Sequence, residues 1–336
     1  MVTFLLLAGG PVTAQDRVTH TPEGASKPVT EHGEILDFTG THLTLRGGVN
    51  TVRIPSQRVK QIETGYQPEH LKALEHFQRG ETREALPLLR RAVEREPRAW
   101  VDRELTALIV QADLRLEDLG NAVRDFRFIL QTDLETRHWG LAPLIWSPQL
   151  VSDTLKSEMV PVLTTGNPGE QLLAASLLLM DPAHGEAAER KLNALSRDLH
   201  PVISGYAKAQ LWRLQLASRQ VHETTLQSWW DDINRLPQDL RPGPQYLYAL
   251  GFEIRGEARA CASEALWLPF VYSNNEPLAA RGFFTAAENL QRTGLNTEAG
   301  NLYRELIVRY PWSRDAALAR TRLVDQATPP SGRESP

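Results

Sequence analysis

Hydrophobic positions recur along most of this chain at spacings of three and four. In Leu278–Trp312, Phe283, Ala287 and Leu290 fall on one helical face and Gly294 ends the run. Thr297 and Glu298 open a second run, in which Ala299, Tyr303 and Leu306 share a face before Pro311 stops it. The pattern predicts two helices joined at a glycine, a unit that cannot bury its apolar face alone. A similar stretch lies near the front, with Ala73, Gly80, Ala85, Leu89, Ala92 and Pro97. In both, glycine precedes the key alanine by five residues and proline follows it by twelve.

The same reading predicts helices at about 69–79, 82–95, 99–116 and 119–131, three within 168–218, then 222–236, 244–256, 258–273 and 313–326. Between them, residues 132–167 lose the pattern. Trp139, Pro143, Trp146 and Pro148 imply bent packing there, with Ser147-Pro148 as a helix start.

From Gly33 the period shortens. Ile35 and Phe38, Leu43 and Leu45, Val52 and Ile54, and Val59 and Ile62 mark four strands, with turns at Thr39-Gly40 and Gly47-Gly48. Residues 33–65 are therefore expected to form a small SH3-like or Sm-like β-meander. Its core is too small to stand alone, so it should pack on the first helices with Tyr66 and Pro68 at the junction. Residues 15–32 are polar and carry Pro22 and Pro28, which predicts a flexible linker, and 327–336 read as a disordered tail. Residues 1–14, an apolar run ending in Val12-Thr13-Ala14, are expected to be an export signal cleaved before Gln15, although the usual positive start is missing. That expectation places the protein in the periplasm or at the cell envelope.

The residues Ala287, Leu290, Gly294, Ala299, Tyr303 and Pro311, with their counterparts near the front, resemble the tetratricopeptide repeat, a helical hairpin of roughly 34 residues. Ala265 and Pro277, each 34 residues before Ala299 and Pro311, suggest a third copy. The resemblance implies a mainly α fold: a right-handed α-solenoid over 66–326, tetratricopeptide-like in 66–131, irregular in 132–167, HEAT-like in 168–257 and tetratricopeptide-like again in 258–326. It also implies a protein or peptide partner held on the concave face by the first helix of each unit. Those positions are Gln67, His70, Leu74 and Phe77 in the first unit, and Arg281, Phe284, Glu288 and Gln291 in the last. The Lys/Asn/Arg clamp with which some members hold a peptide carboxylate is not matched.

Composition narrows the function classes. Thirty-seven basic against 41 acidic residues give a net charge of −4 with the signs interleaved, which argues against a nucleic-acid binder; Arg46, Arg53, Arg58 and Lys60 of the β-meander are the nearest approach to a basic edge for an oligonucleotide. No apolar run is long enough to span a bilayer. Cys261, the only cysteine, sits between alanines and reads as a small buried hydrophobe. The histidines form no metal or catalytic motif: His70 and His76 are six apart, and His200 precedes Pro201 at a helix boundary. No cofactor, metal or catalytic site is expected. An enzyme or carbohydrate-handling protein remains the alternative, resting on the irregular 134–168 stretch and on Asp231-Asp232 beside Trp229-Trp230. Adjacent helical carboxylates, however, point apart. Trp100, Trp212, Trp267 and Trp312 fall at core positions, and exposure of such residues would mark a partner surface. The leading expectation is a non-enzymatic interaction scaffold of a bacterial cell envelope.

Overall fold

The computed structural model describes residues 3–6 and 15–327. The expected export segment and the end of the expected tail lie outside the described residues, apart from Thr3–Leu6 and Ala327. The chain is mainly helical behind an N-terminal sheet and divides into two compact units, residues 1–143 and 144–336.

In the first unit, strands β1 (Thr3–Leu6), β2 (Asp16–His20), β3 (Val29–Phe38), β4 (His42–Gly47), β5 (Asn50–Pro55) and β6 (Val59–Thr64) form one sheet in the order β1-β6-β2-β3-β4-β5. β2 to β6 are antiparallel to their neighbours, and β1 lies parallel to β6. The last strand thus returns to pair with β2, so the module is larger than the four-strand meander expected from residue 33 onward. The 15–32 stretch is not simply a linker, because it supplies β2 and the start of β3. Its alternation is hidden in the sequence: of the inward positions Asp16, Val18 and His20, only Val18 is apolar. Asp16 is held by the Ile35 N–H (2.8 Å) and the Thr64 hydroxyl (2.5 Å), and the His20 ring by Glu31 (3.0 Å).

Helices α1 (Pro68–Gln78), α2 (Thr82–Arg95), α3 (Ala99–Arg115) and α4 (Leu119–Thr132) follow. Val18, Ile35, Phe38, Leu43, Leu45, Ile54 and Ile62 of the sheet share one core with Ala73, Leu89, Trp100, Leu105 and Ile109, and Tyr66 packs against it. Fully burying one such large side chain contributes about 1.5–3 kcal/mol, which a small sheet cannot accumulate on its own. Gly40 anchors the far end. Its N–H donates to Asp133 (2.8 Å), and a Cβ there would lie 1.5 Å from the Glu135 carbonyl oxygen.

The second unit holds α5 (Asp153–Met159), α6 (Val162–Thr165), α7 (Pro168–Leu178), α8 (Gly185–Leu195), α9 (Pro201–Ala217), α10 (Glu223–Arg235), α11 (Pro242–Ile254), α12 (Ala258–Ala265), α13 (Trp267–Val271), α14 (Glu276–Arg292), α15 (Asn296–Arg309) and α16 (Arg314–Ala327). No helix starts at Ser147-Pro148; the hydroxyl of Ser152 caps α5 instead, accepting from the Leu155 N–H at 3.2 Å. The expected 258–273 helix breaks at Leu266 into α12 and α13, which puts Pro269 in a first turn, where a missing N–H costs little.

One turn geometry recurs in both units. At Gly80, Glu117, Arg219, Gly256 and Gly294 φ is +77°, +59°, +56°, +80° and +84°. In each case the next residue's N–H bonds five residues back, from Glu81 to His76, Asp118 to Asp113, Gln220 to Gln215, Glu257 to Phe252 and Leu295 to Leu290, at 2.8–3.1 Å. This is the glycine-type helix stop. In four of the five turns the residue five after the positive-φ position is small and wholly buried: Ala85, Ala122, Cys261 and Ala299. The α11–α12 hairpin is therefore registered on Gly256 and Cys261, four residues before the Ala265 suggested by spacing.

Candidate functional site

The positions implied by the family resemblance do not form open faces. In the last hairpin, Arg281 pairs with Asp315 (3.1 Å). Glu288 accepts from the Tyr303 hydroxyl (2.8 Å) and Arg322 Nε (2.7 Å), Gln291 Oε1 lies 3.3 Å from the same hydroxyl, and the Phe284 ring centre is 5.8 Å from that of Tyr303. These four side chains tie α14 to α15 and α16. Burial, reinforced by the Glu288 carboxylate, raises the Tyr303 hydroxyl well above the usual phenol range.

In the first hairpin, His70 and Phe77 are buried, Leu74 is half-buried, and Gln67 Nε2 donates to the Arg95 carbonyl (2.7 Å). The His70 ring lies 4.2 Å from that of Tyr66, its Nδ1 has no hydrogen-bond partner, and burial pushes its pKa down to about 4, so it is a neutral core residue at physiological pH. The Phe77 ring is covered by the Arg115 guanidinium at 3.9 Å. Contrary to the open face expected for them, α1 turns His70 and Phe77 inward.

The residues considered for chemistry are also separated. Trp229 is buried and stacked on Trp212 at 4.7 Å, with its Nε1 donating to Gln215 (3.2 Å). Asp231 is exposed beside Gln227, while Asp232 pairs with Arg235 (2.8 Å), so the two carboxylates face different neighbours. Trp146 fills the space over Gly243, where a Cβ would lie 2.1 Å from the indole. Cys261 is fully buried and burial pushes its thiol up to about 12, which leaves it un-ionised at neutral pH. Among the described residues no group of three His, Cys, Asp or Glu is placed to hold a metal. On the sheet, Arg46 pairs with Glu34 and Arg58 with Glu23 (3.2 Å), so the basic edge is partly neutralised.

One feature answers to the criterion of exposed aromatics. Trp267, taken from its spacing as core, is 41% exposed; Phe270 and Val271, three and four residues on, are 62% and 42% exposed. At that spacing all three share the outer face of α13. Pro269 accounts for the outward turn: in a continuous helix it could give no N–H to the Ala265 carbonyl four residues back and its ring would clash there, while Gly282 lets α14 pack against that end, since a Cβ at Gly282 would lie 2.6 Å from the same oxygen. From beneath, the Phe270 ring rests edge-on against Phe283 (5.6 Å), and Arg309 donates to the Pro269 carbonyl (3.3 Å). The patch is thus supported from below and apolar above. Sequence periodicity missed it because Trp267 is in phase with a longer helix that does not form.

No family model, no curated protein and no solved structure matches the chain.

Proposed function

We propose that this protein is a non-enzymatic interaction scaffold of the bacterial cell envelope, a right-handed α-solenoid of tetratricopeptide-like and HEAT-like pairs with an SH3-like module packed at its front. The carrying observation is the apolar outer face of α13, where Trp267, Phe270 and Val271 stand together in solvent on a braced helix. A rigid, exposed aromatic anchor is what partner recognition uses, since aromatic residues bury large area with few rotatable bonds. The repeated helix stop at Gly80, Glu117, Gly256 and Gly294 supports the repeat reading. The return of β6 to β2 after the short 3-10 turn Ser56–Arg58 supports the SH3-like reading. Export rests on the apolar first residues and their small-residue cleavage site.

The test is crosslinked capture from an envelope fraction with the native chain and with Phe270→Asp. Phe270 is 62% exposed but rests on Phe283, so circular dichroism and thermal unfolding of the variant are read alongside capture to confirm that it stays folded. A specific partner should be recovered by the native chain and lost with the variant. Equal capture by both, or turnover of a substrate by the purified protein, would overturn the proposal.

A further inference from the structure

A second surface differs from α13 in shape and charge. Between α6 and α8 lies a groove of about 620 Å³. Its floor includes Val160 and Leu163 from one side and Ala187 and Ala194 from the other; Arg190 and Lys191 line it from α8, and no carboxylate does. On α8, Ala187, Lys191 and Ala194 are spaced by four and three, so the ammonium and the two small apolar residues share one face. Among the described residues Lys191 Nζ meets a neutral partner, Gln171 Oε1 at 3.1 Å. Arg190 pairs with Glu186, a surface pair in which both side chains are largely exposed and which is readily exchanged. His184 at the end of the groove is committed to Asp181 (2.9 Å), as is Lys156 (3.1 Å).

We infer that this groove docks an acidic amphipathic peptide segment of a partner, with an apolar side chain on the Val160–Leu163–Ala187–Ala194 floor and a carboxylate about one turn away on Lys191 and Arg190. The inference takes from the scaffold reading only that the ligand is a peptide. Charge complementarity selects the sign. A carboxylate beside Lys191 gains an ion pair that no described residue supplies, whereas a basic segment meets Lys191 and Arg190 with no carboxylate among the lining residues and only the neighbouring Glu186 and Asp181, each already paired. The small residues Ala187 and Ala194 leave room for the partner's side chain where larger ones would fill the groove.

The experiment is selection of a random dodecapeptide library on the full chain, with binding of the enriched peptides then measured by fluorescence anisotropy. Enriched peptides should carry Asp or Glu within three or four positions of Leu, Ile, Met or Phe. They should bind R190E/K191E roughly tenfold or more weakly, lose affinity with added salt, and be displaced by the groove-filling Ala187→Trp. Ala187 is half-buried on the groove side, so this variant is read separately from the charge variant. Laurate, an acidic amphiphile that is not a peptide, is the small-molecule arm. Laurate binding without peptide enrichment overturns the inference, as do basic or neutral enriched sequences and affinities unchanged in R190E/K191E. Peptides lost with Phe270→Asp but not with R190E/K191E would overturn the groove and leave the scaffold proposal standing.

Discussion

The turn from α14 to α15 and the turn from α3 to α4 have nearly the same backbone and different residues at its critical point. Gly294 sits at φ +84° in one and Glu117 at φ +59° in the other. Leu295 and Asp118, which follow them, adopt φ/ψ of −83°/62° and −89°/73°. Each helix that follows buries an alanine completely, Ala299 or Ala122. The left-handed residue is therefore not what creates the hairpin. In these two turns the same closing hydrogen bond and the same buried alanine accompany either residue. Glycine only removes a conformational cost of about 1 kcal/mol that Glu117 carries.

If the four hairpins are equivalent at that small buried residue, alanine in three and Cys261 in the fourth, enlarging it should hurt each alike. Ala122→Leu and Ala299→Leu are each expected to cost about 3 kcal/mol, from inserting three carbons where no space exists. Urea unfolding followed by helical circular dichroism, with hydrogen exchange to locate the loss, checks this. Tolerance of Ala122→Leu within 0.5 kcal/mol would break the equivalence.

The two turns also differ in what lies beneath them. At the residue whose carbonyl closes the turn, α14 has Leu290 and α3 has Asp113, which is 1% exposed. Arg90 reaches both Asp113 (3.2 Å) and Asp125 (3.3 Å). Burial, opposed by Arg90 and reinforced by Asp125 and Asp118, raises Asp113 to about 7. A carboxyl whose folded pKa is raised stabilises fully below its unfolded value near 4 and loses that contribution as pH climbs to about 7, because the unfolded chain releases its proton first. The first unit should accordingly lose stability as pH rises from 4 to 7. Asp113→Asn should flatten that slope; an unchanged slope would move the titration elsewhere.

Much of this was legible in the sequence, and the gaps have physical causes. Helices α1 to α4 fall within about two residues of the boundaries read from periodicity, because Gly80, Pro97 and the apolar faces punctuate them clearly. Strand β2 was not legible, since two of its inward residues are the hydrogen-bonded Asp16 and His20. The hairpin at Gly256 was misregistered because α12 buries Ala265 as fully as Cys261, so alanine spacing alone does not choose between them. The α13 face is hidden in the periodicity because Trp267 is in phase with a longer helix that Pro269 does not allow to continue. His70 and Phe77, expected on an open face, lie on the inner side of α1. Periodicity assigns residues to a face, and packing decides which face is open.

A smaller effect separates the glycine turns from the others. Gly80→Ala and Gly294→Ala should each cost about 1 kcal/mol, since a Cβ at positive φ is strained; no heavy atom lies within 4 Å of either added Cβ, so the loss would be conformational and not steric crowding.

The reverse substitution is the sharpest test of what glycine contributes. Glu117→Gly relieves the strain of a side chain at φ +59° but also loosens the unfolded chain, and the two effects oppose each other. Strain relief should win by about 0.5 kcal/mol, with Arg219→Gly behaving alike at φ +56°. Glu117→Ala keeps the strain and removes only the charge, so it should be nearly neutral. A melting temperature that rises for Glu117→Gly and stays level for Glu117→Ala assigns the gain to the backbone. Equal rises in both would assign it to removing a carboxylate beside Asp118, and the comparison between the two turns would then be one of charge.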